Sequence, residues 1–185
     1  MGDTRAHENA RPSLAENFNR SHAARLNSAT LERICYDAFG ADYPAETNPN
    51  AFFSLTTLRN VETALRTGPG DTLVDLGCGH GGPGLWVVQQ SGANLIGIDL
   101  SPVGVTLAQE RAIAIGLGGR AHFQVGDIVT TGLPDASSDA ALSLDVLVFV
   151  PDKAAAMREV ARILRPAGGS PSQLGSSRDI PLAWA

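Results

Sequence analysis

Val74-Asp75-Leu76-Gly77-Cys78-Gly79-His80-Gly81-Gly82 decides the fold of this chain. Thr72 to Leu76 is a short apolar run that reads as a strand, and Gly82 to Gln90 continues as a helix. Between them, Gly77, Gly79 and Gly82 keep the G-x-G-x-x-G spacing. Glycine there permits a tight turn and lets a ligand approach the backbone without meeting a Cβ. The next apolar run, Asn94 to Ile98, ends in Asp99, 22 residues beyond Gly77. A carboxylate at the end of a second strand can accept hydrogen bonds from both hydroxyls of a ribose. Ser101 is an equally good cap for the helix that follows, so capping does not require Asp99.

Outward from this unit, short apolar runs alternate with helical ones. Val103 to Ile115 reads as a helix, Ala121 to Val125 as a third strand and Ala140 to Leu144 as a fourth. Asp152 caps a further helix with Met157, Val160, Ile163 and Leu164 inward, and Pro166 ends it. This alternation predicts an α/β fold with a mostly parallel sheet and crossover helices, and no internal repeat is present. Upstream, residues 1–27 are polar and lack a period, which predicts a flexible arm. Ser28 caps a helix carrying Leu31, Ile34, Cys35 and Ala38 on one face, stopped by Gly40. Ser54 caps another with Leu55, Leu58, Val61 and Leu65, and Gly68-Pro69-Gly70 marks the boundary with the core. The expected division is an arm (1–27), a helical lid (28–70), a core (71–169) and an atypical tail (170–185).

Composition bounds the function. An apolar content of 43% and a net charge of −5 describe a globular chain. No Lys/Arg run is dense enough to suggest nucleic acid as a partner, and the longest apolar stretch, Val146 to Val150, is too short to span a membrane. Cys35 and Cys78 are the two cysteines, so neither a disulfide framework nor a metal site is indicated. Two thiols and no recognisable leader suit the cytoplasm.

Two acids separate the cofactor candidates. Nicotinamide-binding turns usually carry an apolar residue before the glycines, whereas Asp75-Leu76 introduces this one. An acid there is costly to bury unless hydrogen-bonded, so it braces the loop or faces the cofactor. Gly126-Asp127-Ile128 follows the third strand and places an acid where it could accept from an exocyclic amino group. Ile128 and Leu100 supply apolar faces for a flat base. The pattern favours S-adenosylmethionine over NAD. His80, in the glycine loop, reads as a packing or cofactor-facing residue before a catalytic one. His7, His22 and His122 read as ordinary. Tyr36, Tyr43, Phe52 and Phe53 either form part of a lid or pack the amino-terminal helices on the core.

In these motifs the chain resembles the class I S-adenosylmethionine-dependent methyltransferases that act on small molecules and natural products. The first motif is Val74 to Gly82, followed by Gly97-Ile98-Asp99-Leu100-Ser101 and Gly126-Asp127-Ile128. Leu133-Pro134-Asp135 through Ser143-Leu144-Asp145-Val146-Leu147 resembles the fourth-strand region, and Glu159 to Pro166 the helix before a fifth strand. The resemblance covers about residues 50–169 and implies a Rossmann-like three-layer sandwich with an amino-terminal helical lid. By it, Asp75 and Gly77-Cys78-Gly79 line the methionine end, Asp99 holds the ribose, and Asp127 with Ile128 holds the adenine. Leu144 offers a backbone carbonyl, and Asp145 faces the reacting centre. The implied reaction is in-line displacement at the sulfonium methyl, driven mainly by alignment, to an O, N or C atom of a small-molecule acceptor. No catalytic residue is assigned.

The end of the chain departs from that family. After Ala167-Gly168-Gly169 comes Ser170-Pro171-Ser172-Gln173-Leu174-Gly175-Ser176-Ser177, which is poor strand material. With permitted codons, one restored nucleotide near Pro166 would turn this tail into the expected strand. The expectation is a truncated domain with its carboxy-terminal strands missing and the fourth strand open at its edge, a site for self-association. Two other readings compete: an NAD-binding oxidoreductase, and a truncated cofactor-binding protein that catalyses nothing.

Overall fold

The computed structural model describes residues 12–25, 28–47, 53–166 and 182–184. Five parallel strands form one sheet: β1 (Thr72–Leu76), β2 (Asn94–Asp99), β3 (Ala121–Val125), β4 (Ala140–Ser143) and β5 (Leu182–Trp184), in the order β3-β2-β1-β4-β5. The six helices among the described residues are α1 (Leu14–Arg25), α2 (Ala29–Phe39), α3 (Leu55–Leu65), α4 (Gly82–Ser91), α5 (Pro102–Ala114) and α6 (Lys153–Ile163). The expected α/β fold is therefore present, and the strand and helix bounds from residue 72 to residue 163 fall within a residue or two of the sequence reading.

Side-chain alternation along β1 builds the three layers. Leu73 packs into a cluster with Leu58, Leu65, Leu85, Val87 and Leu95, so α3 and α4 cover one face. Val74 and Leu76 point the other way, into a cluster with Ala156, Val160 and Ile163 of α6. Strand order reverses on either side of β1, and the carboxyl ends of such a sheet at such a point form a crevice for ligands.

The caps read from sequence are in place. Ser28, Ser54, Ser101 and Asp152 each accept a hydrogen bond from the backbone N–H three residues on. Arg66, in a left-handed conformation, closes α3 two residues before Gly68.

Four details differ from expectation. The polar stretch expected as a flexible arm contains α1, closed by a reciprocal capping box. The Ser13 N–H donates to Glu16 Oε2 at 2.7 Å, and the Glu16 N–H donates to Ser13 Oγ at 3.2 Å. On α2, Cys35 is buried but Ile34 and Ala38 are exposed, because the helix touches the molecule along a narrower stripe than its apolar content suggests. On α6, Met157 stands 36% exposed while Glu159 is buried in its place. Glu159 accepts from the Thr131 N–H and hydroxyl at 2.7 and 2.6 Å and from Arg162. Finally, the edge of β4 expected to be open is paired: Ala141, Leu142 and Ser143 lie opposite Leu182, Ala183 and Trp184. Three residues suffice because a strand needs backbone partners more than it needs a favourable composition. The stretch after Gly168-Gly169 expected to lack a strand lies outside the described residues, as do Phe52 and His7.

Candidate functional site

Four strand ends meet in a cleft of about 480 Å³, within the usual range for small-molecule and cofactor sites. The glycine loop after β1 supplies Gly77, Cys78, Gly79 and His80, and β2 supplies Asp99 and Leu100. Asp127 and Ile128 come from the end of β3, and Leu144, Asp145, Val146 and Phe149 follow β4. Of the nine cofactor-binding residues read from sequence, Gly77, Cys78, Gly79, Asp99, Leu100, Asp127, Ile128 and Leu144 line this one cleft.

Asp75 does not line it. Alternation on β1 puts Asp75 on the Leu73 face, behind the loop and beneath the first turn of α4. Gly84 permits this, since a Cβ there would sit 2.5 Å from Asp75 Oδ2. That oxygen is buried without a hydrogen-bond partner. Burial, reinforced by the charge of Asp99, pushes the Asp75 carboxyl up to about 7. Asp75 thus lies outside the cleft lining and against Gly84 of α4.

Asp99 is fixed by its own neighbourhood. Oδ2 accepts from the Gly79 N–H at 2.8 Å and Oδ1 from the Ser101 N–H at 2.8 Å. Each carboxylate oxygen keeps a further lone pair, so two acceptor sites remain beside the cleft. The Gly79 bond also holds the glycine loop against β2, with the Gly77 and Cys78 N–H groups both donating to Ile98 O. Gly77 has φ +79°, and a Cβ on it would collide with the side chain of Val146. The loop can therefore close only with glycine there.

At the far side, Asp127 Oδ1 accepts from the Val129 N–H at 3.0 Å, an Asx turn that presents the exposed carboxylate beside buried Ile128. Thr131, which follows, donates to Glu159 of α6, and hydrogen bonds from Arg162 and from Thr131 hold the Glu159 carboxyl down at about 2. Asp145 has φ +59°, a left-handed conformation uncommon outside glycine, and it borders the cleft directly after Leu144.

Sequence reading missed the opposite wall. Leu14, Asn17, Phe18, Ser21 and His22 of α1 face the cleft. Asn19 Oδ1 of the same helix accepts from Ser101 Oγ at 2.6 Å and holds α1 on α5. His22, read as ordinary, is buried against Gly79 and stacks edge-on to His80 at 5.7 Å between ring centroids. Phe18 meets Phe149 edge-on at 5.2 Å. The signal that could have found this helix is Ser13-Leu14-Ala15-Glu16, the S-x-x-E of a capping box. From 28–70, Phe53 reaches the cleft, whereas Tyr43 is buried against the 61%-exposed Tyr36.

Residues 74–169 match the family model described as a methyltransferase domain. This chain belongs to that family. It is 30% identical over 125 residues to the methyltransferase GfsG of Streptomyces halstedii, a match covering 68% of this chain and 45% of that protein. It is 38% identical over 96 residues to the chloroplastic tocopherol O-methyltransferase of Arabidopsis thaliana, covering 52% of this chain and 28% of that one. Among solved structures, the [4+2]-cyclase SpnF superposes with a TM-score of 0.55 at 33% identity, over 59% of this chain and 41% of the cyclase. The matched part of the chain thus spans less than half the length of each of these relatives. Among the described residues there is no group of ligands that could hold a metal ion, and no helix is long and apolar enough to cross a membrane.

Proposed function

We propose that the cleft binds S-adenosylmethionine and that the chain carries the cofactor-binding part of a methyltransferase acting on a small-molecule O, N or C acceptor. One observation carries this reading: the glycine turn, Asp99, and the Asp127-Ile128 pair converge on a single cleft from three separate strands. The residues fit the cofactor. Asp99 keeps open acceptor sites suited to a ribose, and Asp127 offers a carboxylate to an exocyclic amine. Leu100 and Ile128 flank the space for a base, and the Gly77–Gly79 backbone lies open to a methionine tail. When bound, S-adenosylmethionine supplies a methyl group already activated by positive sulfur. The contribution of the chain is to orient it, with α1, joined by Phe53 from residues 28–70, acting as the lid that excludes water. Asp75 supports the glycine loop from behind.

Cytoplasmic residence suits Cys35 and Cys78, neither of which forms a disulfide. Pairing between copies, expected through β4, would have to use the outer edge of β5 or β3, since β4 is already paired on both sides.

The test is a calorimetric titration with S-adenosylhomocysteine, with NADH as control. Saturable binding of the former alone is the expected result, and selective binding of NADH would replace this reading with the oxidoreductase one. The likeness to a [4+2]-cyclase favours a second reading, in which the cofactor is bound but no methyl group moves. Label from methyl-labelled S-adenosylmethionine would then stay on the cofactor instead of entering a small-molecule product.

A further inference from the structure

Resting on the reading of the cleft as a site for a sulfonium cofactor, we infer that Arg111 is a positioning residue. It holds the His80 ring as a neutral Nε2–H donor in the wall of the cleft. Arg111 reaches across from α5, and its Nη1 donates to Thr47 O at 2.6 Å and lies 3.2 Å from His80 Nδ1. A guanidinium has N–H groups and no acceptor, so this contact is a hydrogen bond only when Nδ1 carries a lone pair. The proton of the neutral ring then sits on Nε2. Nε2 has no protein partner among the described residues, and His80 borders the cleft, which leaves that N–H for a ligand.

The clamp has two jaws. The Thr47 carbonyl belongs to a short turn at Ala45–Thr47 that packs against Gly82 at the start of α4. It accepts from the same Nη1 that meets the ring, so Arg111 cannot swing off without abandoning a charge-assisted bond. The ionisable groups facing His80 are Arg111 from α5 and His22 from α1. On its own loop, the buried Cys78 thiol stays protonated, and the Asp99 carboxylate of β2 spends one oxygen on the Gly79 N–H. Burial, then Arg111, then His22 lower the His80 imidazole to about 4, outweighing a hydrogen bond to the residue's own backbone that acts the other way.

Two consequences bear on function. A protonated imidazole lining the cleft would repel a sulfonium, and Arg111, set behind the ring and outside the cleft lining, keeps the imidazole neutral. The one nitrogen a ligand can reach already carries its proton, so His80 donates to an oxygen in the cleft and does not act as a general base there.

The test uses the full chain labelled with ¹⁵N-histidine, read by long-range ¹H–¹⁵N spectra. With four histidines in the chain, His80→Asn assigns the signal. Nδ1 is expected unprotonated and Nε2 protonated from pH 8 down to pH 5.5, with no titration. In Arg111→Met the ring is expected to lose its fixed tautomer, with Nδ1 protonated in part of the population. Its midpoint is expected to rise only part of the way from about 4 towards 6.5, because burial, the larger cause, remains. S-adenosylmethionine affinity should then begin to fall as pH drops from 7.5 to 5.5, while that of S-adenosylhomocysteine, which lacks the sulfonium charge, stays flat. Arg111→Lys, another obligate donor, is expected to restore the wild-type spectrum. A wild-type ring protonated on Nδ1, a wild-type ring titrating between pH 6 and 7, or an Arg111→Met spectrum identical to wild type would each overturn the inference. Should Arg111→Met fail to fold, the wild-type spectrum alone decides. The expected spectrum with neither ligand bound would remove the cofactor reading and leave the Arg111–His80 assignment standing.

Discussion

The floor of the cleft is made by four parallel strand ends, and much of its roof by one polar helix, Leu14–Arg25. The floor rests on residues with no exposure at all: Leu73, Val74, Leu76, Leu95, Ile98 and Leu142. The roof is held by a few polar and aromatic contacts. These are the Ser13–Glu16 box, Asn19 on Ser101, His22 on Gly79, and Phe18 on Phe149. Apolar burial is worth about 25 cal/mol per Å² and adds over the whole sheet. A handful of surface hydrogen bonds at about 1 kcal/mol each does not compare. Rigidity is therefore concentrated where the proposed cofactor's hydroxyls and base would be gripped, and compliance where a ligand would have to enter. Elements of low local stability are the ones that open first.

The largest effect that would sharpen this contrast belongs to the floor. Leu73→Ala removes a fully buried side chain between α3, α4 and β1, and should cost about 3–4 kcal/mol of global stability, read by urea unfolding. A loss below 1 kcal/mol would mean the floor is as soft as the roof.

Next come two buried ionisable groups with opposite pH behaviour. Asp75 is raised from 3.8 to about 7, so its contribution is complete below pH 4 and is lost as pH climbs through 7. His80 is lowered from 6.5 to about 4, so its contribution is complete above pH 6.5 and is lost as pH falls through 4. Between pH 4 and 6.5 the two slopes oppose each other. Asp75→Asn should therefore leave stability that rises with pH across this window, and His80→Asn stability that falls. Each change is on the order of 3 kcal/mol from end to end. Parallel profiles in the two variants would show that neither group is buried as described.

A test of binding follows. Asp99→Ala removes both the proposed ribose acceptor and the bond to the Gly79 N–H. S-adenosylhomocysteine affinity should fall about a hundredfold in calorimetric titration, for two hydrogen bonds to a charged group.

The smallest expected effect lies in the roof. Replacing Ser13 and Glu16 together by Ala should cost α1 about 1 kcal/mol, seen as faster amide exchange confined to residues 14–25. An equal acceleration in β1 would erase the distinction between the two walls.

How legible each wall was in the sequence follows from the same difference. Gly77, Gly79, Asp99, Asp127 and Leu144 could be read directly, because each sits next to the strand that positions it and strand ends are announced by local pattern. The place of Asp75 needed the layer geometry. Its position in the motif is the same whether it faces the cleft or α4, and only the parity of β1 against Leu73 decides. α1 escaped because its buried face is polar or aromatic and pays back only on contact with α5 and the glycine loop. Arg111 escaped because its partners, Thr47 and His80, lie 64 and 31 residues away.

By itself the sequence determined the alternation of strands and helices, the caps and the glycine turn, since these depend on hydrogen bonds and burial patterns spanning a few residues. Tertiary structure alone decided which carboxylate meets the cleft, which helix roofs it, which nitrogen of His80 meets Arg111 and what closes the edge of β4. Each of those depends on groups distant in the chain being held within hydrogen-bonding or van der Waals reach, and local spacing carries no record of that distance.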